Sequence, residues 1–136
     1  MADTHQLIKE VLTRYKKIAV VGLSSDANRP SFGVTRYLIE KGYDVVGVNP
    51  AEKTILERPC YESIDKVPAP LEIVDVFRNP KFVPDLVERL ISLRPKVLWL
   101  QEGVGHPEAE KKARDAGIEV ISNRCILKEH MRLIRD

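Results

Sequence analysis

Five short apolar runs, each followed by a turn and then by apolar residues at helical spacing, restrict this chain to a narrow set of folds. The runs occupy 17–22, 43–48, 71–77, 96–100 and 118–121. In the second, Val45, Val46 and Val48 surround Gly47 almost without a polar break, the pattern of a strand covered by helices on both faces. Between the runs, helical spacing is carried first by Leu7, Ile8, Val11, Leu12 and Tyr15 behind a cap at Asp3 or Thr4. It recurs in Val34, Tyr37 and Leu38 after a start near Ser31 as N-cap, ending at Gly42. Phe82, Val83, Leu86, Val87, Leu90 and Ile91 mark the inward face of a third helix, a fourth opens near Pro107 and stops at Gly117, and the last carries Leu127, Met131 and Ile134. Strands that alternate with helices in this way predict an α/β fold: a Rossmann-like, doubly wound, parallel five-stranded sheet inside a three-layer α/β/α sandwich.

The 136 residues match a single domain over 1–136, large enough to bury a core without disulfides or metals. Its least regular part, 51–70, holds Pro59, Pro68 and Pro70 and reads as a connection with at most a short helical turn at 62–66. A formal net charge of +2 is too small for a nucleic-acid surface, and no stretch approaches the roughly 18 apolar residues of a membrane span. The first residues hold no apolar signal core, so a cytoplasmic protein is expected. Cys60 and Cys125 stand apart, with no companion at metal-ligand spacing, and imply neither a metal site nor a disulfide framework.

In sheets of this kind ligands lie beyond the carboxyl ends of the strands, which here are five short segments. At the first, Gly22 permits close backbone approach, Ser24 and Ser25 offer donors, Arg29 supplies a cation, and Pro30, Ser31 and Gly33 open a helix. This is an anion cradle, although Ser24 and Ala27 stand where a dinucleotide fingerprint has glycine. The same glycine and serines would equally serve a turn that only caps a helix. At the second strand end, Asn49 and Pro50, with Lys53 beyond, replace the carboxylate that grips both ribose hydroxyls of NAD; a phosphate-bearing ribose is tolerated, and so is a plain turn. The remaining ends supply Phe77 and Arg78, then Leu100, Gln101, Glu102 and Gly103, then Asn123 and Cys125. Phe77 is placed to touch a base or a pantetheine arm, whereas Trp99 belongs to the core.

Taken in order, Gly22-Leu-Ser with Asn28-Arg-Pro-Ser31, Val48-Asn-Pro50, Val74-Asp-Val-Phe-Arg78, Trp99-Leu-Gln-Glu-Gly-Val104 and Asn123-Arg-Cys125 resemble the small single-domain CoA-binding proteins. These are similar to the CoA-binding domain of the succinyl-CoA synthetase α subunit and of NDP-forming acyl-CoA synthetases. The resemblance runs from about Tyr15 to Met131. It implies coenzyme A lying across the strand ends, with its pyrophosphate against Gly22, Ser24, Ser25, Arg29, Pro30 and Ser31. Its adenosine would point toward the second and third ends, with Asn49, Pro50 and Lys53 matching a CoA-contacting segment, and Leu100, Gln101 and Glu102 matching another. The chain departs from the synthetases in Gln101, where they have threonine, and in a first loop lengthened by Arg29 and Pro30.

The resemblance implies no enzyme activity, because the synthetases draw their phosphorylated histidine from a further domain that would follow where this chain ends. His106 precedes a helix and has no nucleophile beside it, His130 reads as a partly exposed packing residue, and Asp75 as a buried carboxylate held by structural hydrogen bonds. Cys125 opens the last helix beside Arg124 and is either an inert thiol or a reactive one able to form a mixed disulfide with CoA. Three functions therefore compete: non-catalytic binding of CoA or an acyl-CoA, an NAD(P)-dependent oxidoreductase or redox sensor, and an orphan subunit of an acyl-CoA ligase. Either a homo-oligomer or a ligase partner chain is compatible with them.

Overall fold

The structure, a computed structural model, describes residues 3–134. Helix α1 (Thr4–Arg14) is capped by Asp3, whose side chain accepts from the His5 amide, and leads into β1 (Lys17–Val21). There follow α2 (Pro30–Glu40), β2 (Asp44–Val48), β3 (Thr54–Ile55) and β4 (Arg58–Tyr61), then β5 (Ile73–Val76) and α3 (Val83–Leu93). The chain continues with β6 (Val97–Leu100), α4 (Pro107–Asp115), β7 (Glu119–Ser122) and α5 (Ile126–Leu133).

The strands form one sheet in the order β3-β4-β2-β1-β5-β6-β7, parallel except for the β3–β4 pair. From β1 the chain builds outward through β2 to β4, then returns to the other side of β1 and builds outward again. This reversal makes the sheet doubly wound, with its switch point between β1 and β5.

Alternation along each strand sends side chains to two separate cores. Ala19, Val21, Val74, Val76, Leu98 and Leu100 pack with Val83 and Leu86 of α3 and Ala109 of α4. On the opposite face, Ile18, Val20, Ile73, Val97 and Trp99 pack with Ile8 of α1, Val34 of α2 and Ile126 of α5. The three-layer expectation holds, and Trp99 is fully buried as expected, with its indole N–H donating to the Arg124 carbonyl at 2.8 Å.

The sheet has seven strands rather than the expected five. The two additional strands, β3 and β4, form a hairpin inside the segment read as irregular. Its turn residues Leu56 and Glu57 adopt positive φ, 54° and 62°, a conformation that hairpin turns require and that glycine or asparagine ordinarily supplies. The β4-to-β5 connection carries no α-helix, only a 3-10 turn at Ile64–Lys66 and a proline-bearing stretch. Among the described residues, no helix is long and apolar enough to cross a membrane.

Tyr43, just before β2, ties two layers together by donating its hydroxyl proton to the Leu12 carbonyl at the end of α1. Burial, reinforced by the neighbouring Tyr37, pushes its phenol up to about 12. In an ultraviolet titration Tyr43→Phe is expected to delete a tyrosine transition near that pH. The same substitution costs about 1 kcal/mol in urea unfolding, the net worth of one buried hydrogen bond.

Candidate functional site

The site begins where β1 and β5 part. Their pairing continues one step past Val21 through the Phe77 amide, which donates to the Val21 carbonyl at 2.8 Å, and Gly22 is held by Val48 at 3.1 Å. Gly22 then turns away at φ +89°, and a Cβ there would lie 2.6 Å from the Phe77 carbonyl oxygen and 3.0 Å from Cδ of Arg78. Only glycine lets these two loops pass so closely while diverging.

The loop after Gly22 is organised by its own serines and aspartate. The Ser24 amide donates to Ser31 Oγ at 3.0 Å, Ser24 Oγ accepts from the Asp26 amide at 3.0 Å, and Asp26 Oδ1 accepts from the Asn28 amide at 2.9 Å. Arg29, not Ser31, is the N-cap of α2, and no side chain caps that helix. Ser31 lies two positions past the cap, because Pro30 takes the first helical place, where its missing N–H costs nothing. Its hydroxyl therefore holds the loop, and the amide end of α2 is left open toward the strand ends.

A cleft of about 670 Å³ opens beside this loop. The structure brings Gly22, Ser24, Arg29, Pro30 and Ser31 to it from the first loop and α2, and Phe77 and Arg78 from the end of β5. Gln101, Glu102 and Cys125 reach it from the ends of β6 and β7. On the other face of the sheet lies a smaller cleft of about 210 Å³ between Pro50, Ile64, Phe82 and α3. Arg78 lines both, so the two meet over the carboxyl ends of β1 and β5.

The charge balance of the larger cleft is positive. Arg29 and Arg78 have no carboxylate partner among the described residues, while Glu102 is paired with Lys128 at 3.0 Å. Arg78 instead rests on the ring of Phe82, its guanidinium carbon 4.4 Å from the centroid. Phe82, expected on the inward face of a helix, is 43% exposed: α3 starts one residue later, at Val83, and Phe82 belongs to the 3-10 turn before it.

Several other expected residues do not line either cleft. Asn49 is spent internally, its amide donating to the Leu23 carbonyl at 2.9 Å and its Oδ1 accepting from Ala51 and Glu52 amides. Ser25 donates to Glu52, Leu100 is fully buried in β6, and Gly33 has open space where a Cβ would stand. Lys53 lies in the turn before β3, its carbonyl accepting from the Cys60 amide at 2.9 Å. Asn123, at φ +57°, accepts from the Gly103 amide at 3.1 Å, so this pair fastens the β6 and β7 loops together. Gln101 likewise turns its Oε1 to the Ile126 amide at 3.1 Å, taking over the capping of α5 that Cys125 does not perform.

The candidate bases are accounted for structurally. His106 is the N-cap of α4, its Nδ1 accepting from the Ala109 amide at 3.2 Å. His130 is buried rather than partly exposed, because its Nδ1 meets the Tyr37 hydroxyl at 2.8 Å and its ring packs edge-on against Tyr37 and Tyr43. Arg124 does not turn to Cys125 but to Glu129, at 3.0 Å. Burial pushes the Glu129 carboxyl up, but Arg132 and Arg124 more than offset this and hold it below the usual range.

Asp75 departs furthest from expectation. It lies at the centre of β5, wholly buried, and neither carboxylate oxygen has a hydrogen-bond partner among the described residues. Its strand neighbours are Val20 and Trp99, neither of which can offer a donor, since the indole N–H is committed to Arg124. Burial therefore drives its carboxyl well above the ordinary value.

Among the residues that line the clefts, sequence reasoning missed Phe82 and Lys128. Lys128 was open to discovery, since it follows Cys125 by three positions on a helix and so shares its face.

Known proteins share the sequence pattern and the fold of this chain. The family model described as CoA binding domain matches residues 16–131. YneT of Bacillus subtilis, described as an uncharacterized protein, is 35% identical over 123 residues, 90% of this chain and 91% of its own. A solved structure of a hypothetical protein from Pyrococcus horikoshii superposes with a TM-score of 0.93 at 44% identity, covering 98% of this chain and 94% of that one. An ADP-forming acetate–CoA ligase of Archaeoglobus fulgidus is 31% identical over 74 residues, 53% of this chain but 11% of the ligase.

Proposed function

Because this chain belongs to the CoA-binding domain family, we propose that it binds coenzyme A or an acyl-CoA across the carboxyl ends of its parallel strands without catalysing a reaction on it. The observation that carries this reading is the pair of clefts that join at Arg78, directly over the point where β1 and β5 diverge. A long, bent, anionic ligand fits such a path.

The residues present suit the ligand's chemistry. The pyrophosphate would lie at the uncapped first turn of α2, with Arg29 and Arg78 as its cations; among the described residues neither spends its charge on a carboxylate. The adenosine would enter the smaller cleft, against Pro50 and the exposed ring of Phe82, and the pantetheine arm would follow the larger cleft past Phe77 toward Cys125. Ser25, Gly33, Asn49, Lys53, Leu100, Gly103 and Asn123 then support the site from behind or from its margin. An NAD-type reading has less to work with, because the second strand end provides Asn49, already committed on both sides, in place of a ribose-gripping carboxylate.

A ligand that binds only the folded state at about 100 times its Kd adds about 2.7 kcal/mol to stability. Thermal unfolding with CoA or acetyl-CoA is expected to show that gain, with NAD and NADP giving little. Stabilisation by NADP but not by CoA would overturn the proposal. The likeness to a CoA ligase favours a second reading, a subunit completed by another chain. Recovery of a stoichiometric nucleotide-grasping partner on native purification would establish it.

A further inference from the structure

Toward the amino ends of the strands, opposite the two clefts, a slot of about 240 Å³ lies under the stretch that connects β4 to β5. Its origin is topological. The crossovers from β1 to β2, β5 to β6 and β6 to β7 each lay an α-helix over the sheet, but this one supplies only a 3-10 turn and residues 67–71, so the β1–β2 surface beneath is incompletely filled. Ala19 deepens the gap: its register partners on either side are Val46 and Val74, and its small side chain leaves the floor low.

The slot combines an apolar interior with a charged rim. Ala19 and Val46 form the floor, while Val67, Pro68, Pro70 and Leu71 form the roof. Lys17, Asp44, Arg58 and Glu72 stand at the rim, two cations and two anions. Lys17 is paired in register with Asp44 and shares its face with Ala19, by the two-residue alternation of the strand.

These charges are not all consumed. Arg58 pairs with Asp44, and its Nε also donates to the Val45 carbonyl at 2.7 Å. Glu72 is fixed by one oxygen, Oε1, which accepts from the Lys16 and Lys17 amides at 3.1 and 3.0 Å. Its second oxygen and the exposed Lys17 ammonium have no ion-pair partner among the described residues. An immobilised carboxylate oxygen and an unpaired ammonium thus flank the mouth of an apolar slot. A ligand with one charge would find one of them complementary and the other not; a ligand with both would satisfy each. The volume is below the roughly 300 Å³ at which drug-sized pockets begin, which restricts the ligand to a small molecule.

We propose that this slot is a second ligand site, which takes a small zwitterion with an apolar side chain, namely an aliphatic or aromatic α-amino acid. Its ammonium group meets Glu72, its carboxylate meets Lys17, and its side chain enters between Ala19, Val46 and Leu71. The site shares no lining residue with either cleft at the carboxyl ends, so it stands whether or not those clefts hold CoA.

Methyl-resolved NMR titration tests this with L-leucine and L-phenylalanine as probes, against 3-methylbutylamine and 4-methylpentanoate as analogues carrying one charge each. Saturable shifts are expected at Ala19, Val46 and Leu71 and not at Val34, which lines the larger cleft, with the zwitterions binding at least about tenfold more tightly than either analogue. Lys17→Ala, a change at an exposed position, is expected to remove about tenfold of that affinity, and Ala19→Ile to fill the floor and abolish it. Equal binding of the one-charge analogues, shifts confined to the clefts, or no shift with any probe would each overturn the proposal.

Discussion

Gly22→Ala is expected to unfold about 2–4 kcal/mol more easily than the parent protein in urea, and to lose its stabilisation by CoA. Two separate costs combine. The first is conformational: at φ +89° a side chain is strained by roughly 1–2 kcal/mol wherever it sits. The second is contact, because the new Cβ would stand 2.6 Å from the Phe77 carbonyl, a backbone atom held in place by the bond from the Phe77 amide to Val21. Relief requires β1 and β5 to move apart just where the clefts join.

Gly42→Ala separates the two costs. Gly42 has almost the same conformation, φ +92°, yet nothing lies within 4 Å of where its Cβ would stand. It should therefore show the strain alone and keep the response to CoA. Equal destabilisation by the two substitutions, to within about 0.5 kcal/mol, would remove the crowded switch point from the account.

The contrast with Gly42 also indicates how far sequence can be read. Both glycines were legible as strand and helix terminators, since a run of apolar residues or a helical pattern stops at each. Nothing local distinguishes them, because what makes Gly22 irreplaceable is Phe77, brought across from a strand 55 residues later. The β3–β4 hairpin escaped notice for a different reason. Its turn places leucine and glutamate at positive φ, and one of its strands contains Pro59, so every usual local signal argues against it. β4 is flanked by β3 and β2, but its parallel pairing with β2 begins only at Cys60, so the sheet tolerates the proline outside that ladder.

At the strand ends, residue type alone announced chemistry that tertiary structure then divided. Serines 24 and 31 were correctly drawn to the first loop, but the Ser31 hydroxyl accepts from the Ser24 amide and the Ser24 hydroxyl from the Asp26 amide. Asn49 and Gln101 looked equally available for a ligand, and both hold the fold, one closing the loop after β2 and the other capping α5. Arg78 gains its importance from standing between two clefts on opposite faces, a relation that exists only once the sheet is assembled.

Asp75 is expected to make the protein less stable as pH rises, and Asp75→Asn to abolish that trend. An ionised carboxylate with no partner in a dry interior is far more costly than a neutral acid, so in the folded state the proton stays on. In the unfolded chain the same group titrates near 3.9. Below that pH both states carry the proton and Asp75 contributes no slope. As pH increases beyond it, the unfolded state loses the proton and the folded state keeps it, so each unit removes about 1.4 kcal/mol until the raised folded value is reached. This is the opposite of Glu129, whose folded carboxyl is held low by Arg132 and Arg124 and whose contribution is lost on acidification. Asparagine matches aspartic acid in shape and cannot ionise. The stability of Asp75→Asn relative to the parent is therefore expected to be near zero at pH 4 and to grow by about 1.4 kcal/mol per pH unit above it until the raised folded value is reached. Urea unfolding across pH 4 to 8 measures the difference directly, and a carbonyl stretch of a protonated acid, absent in the variant, reports the proton itself. A difference that stays constant with pH would mean that Asp75 is ionised in the fold and has found a donor.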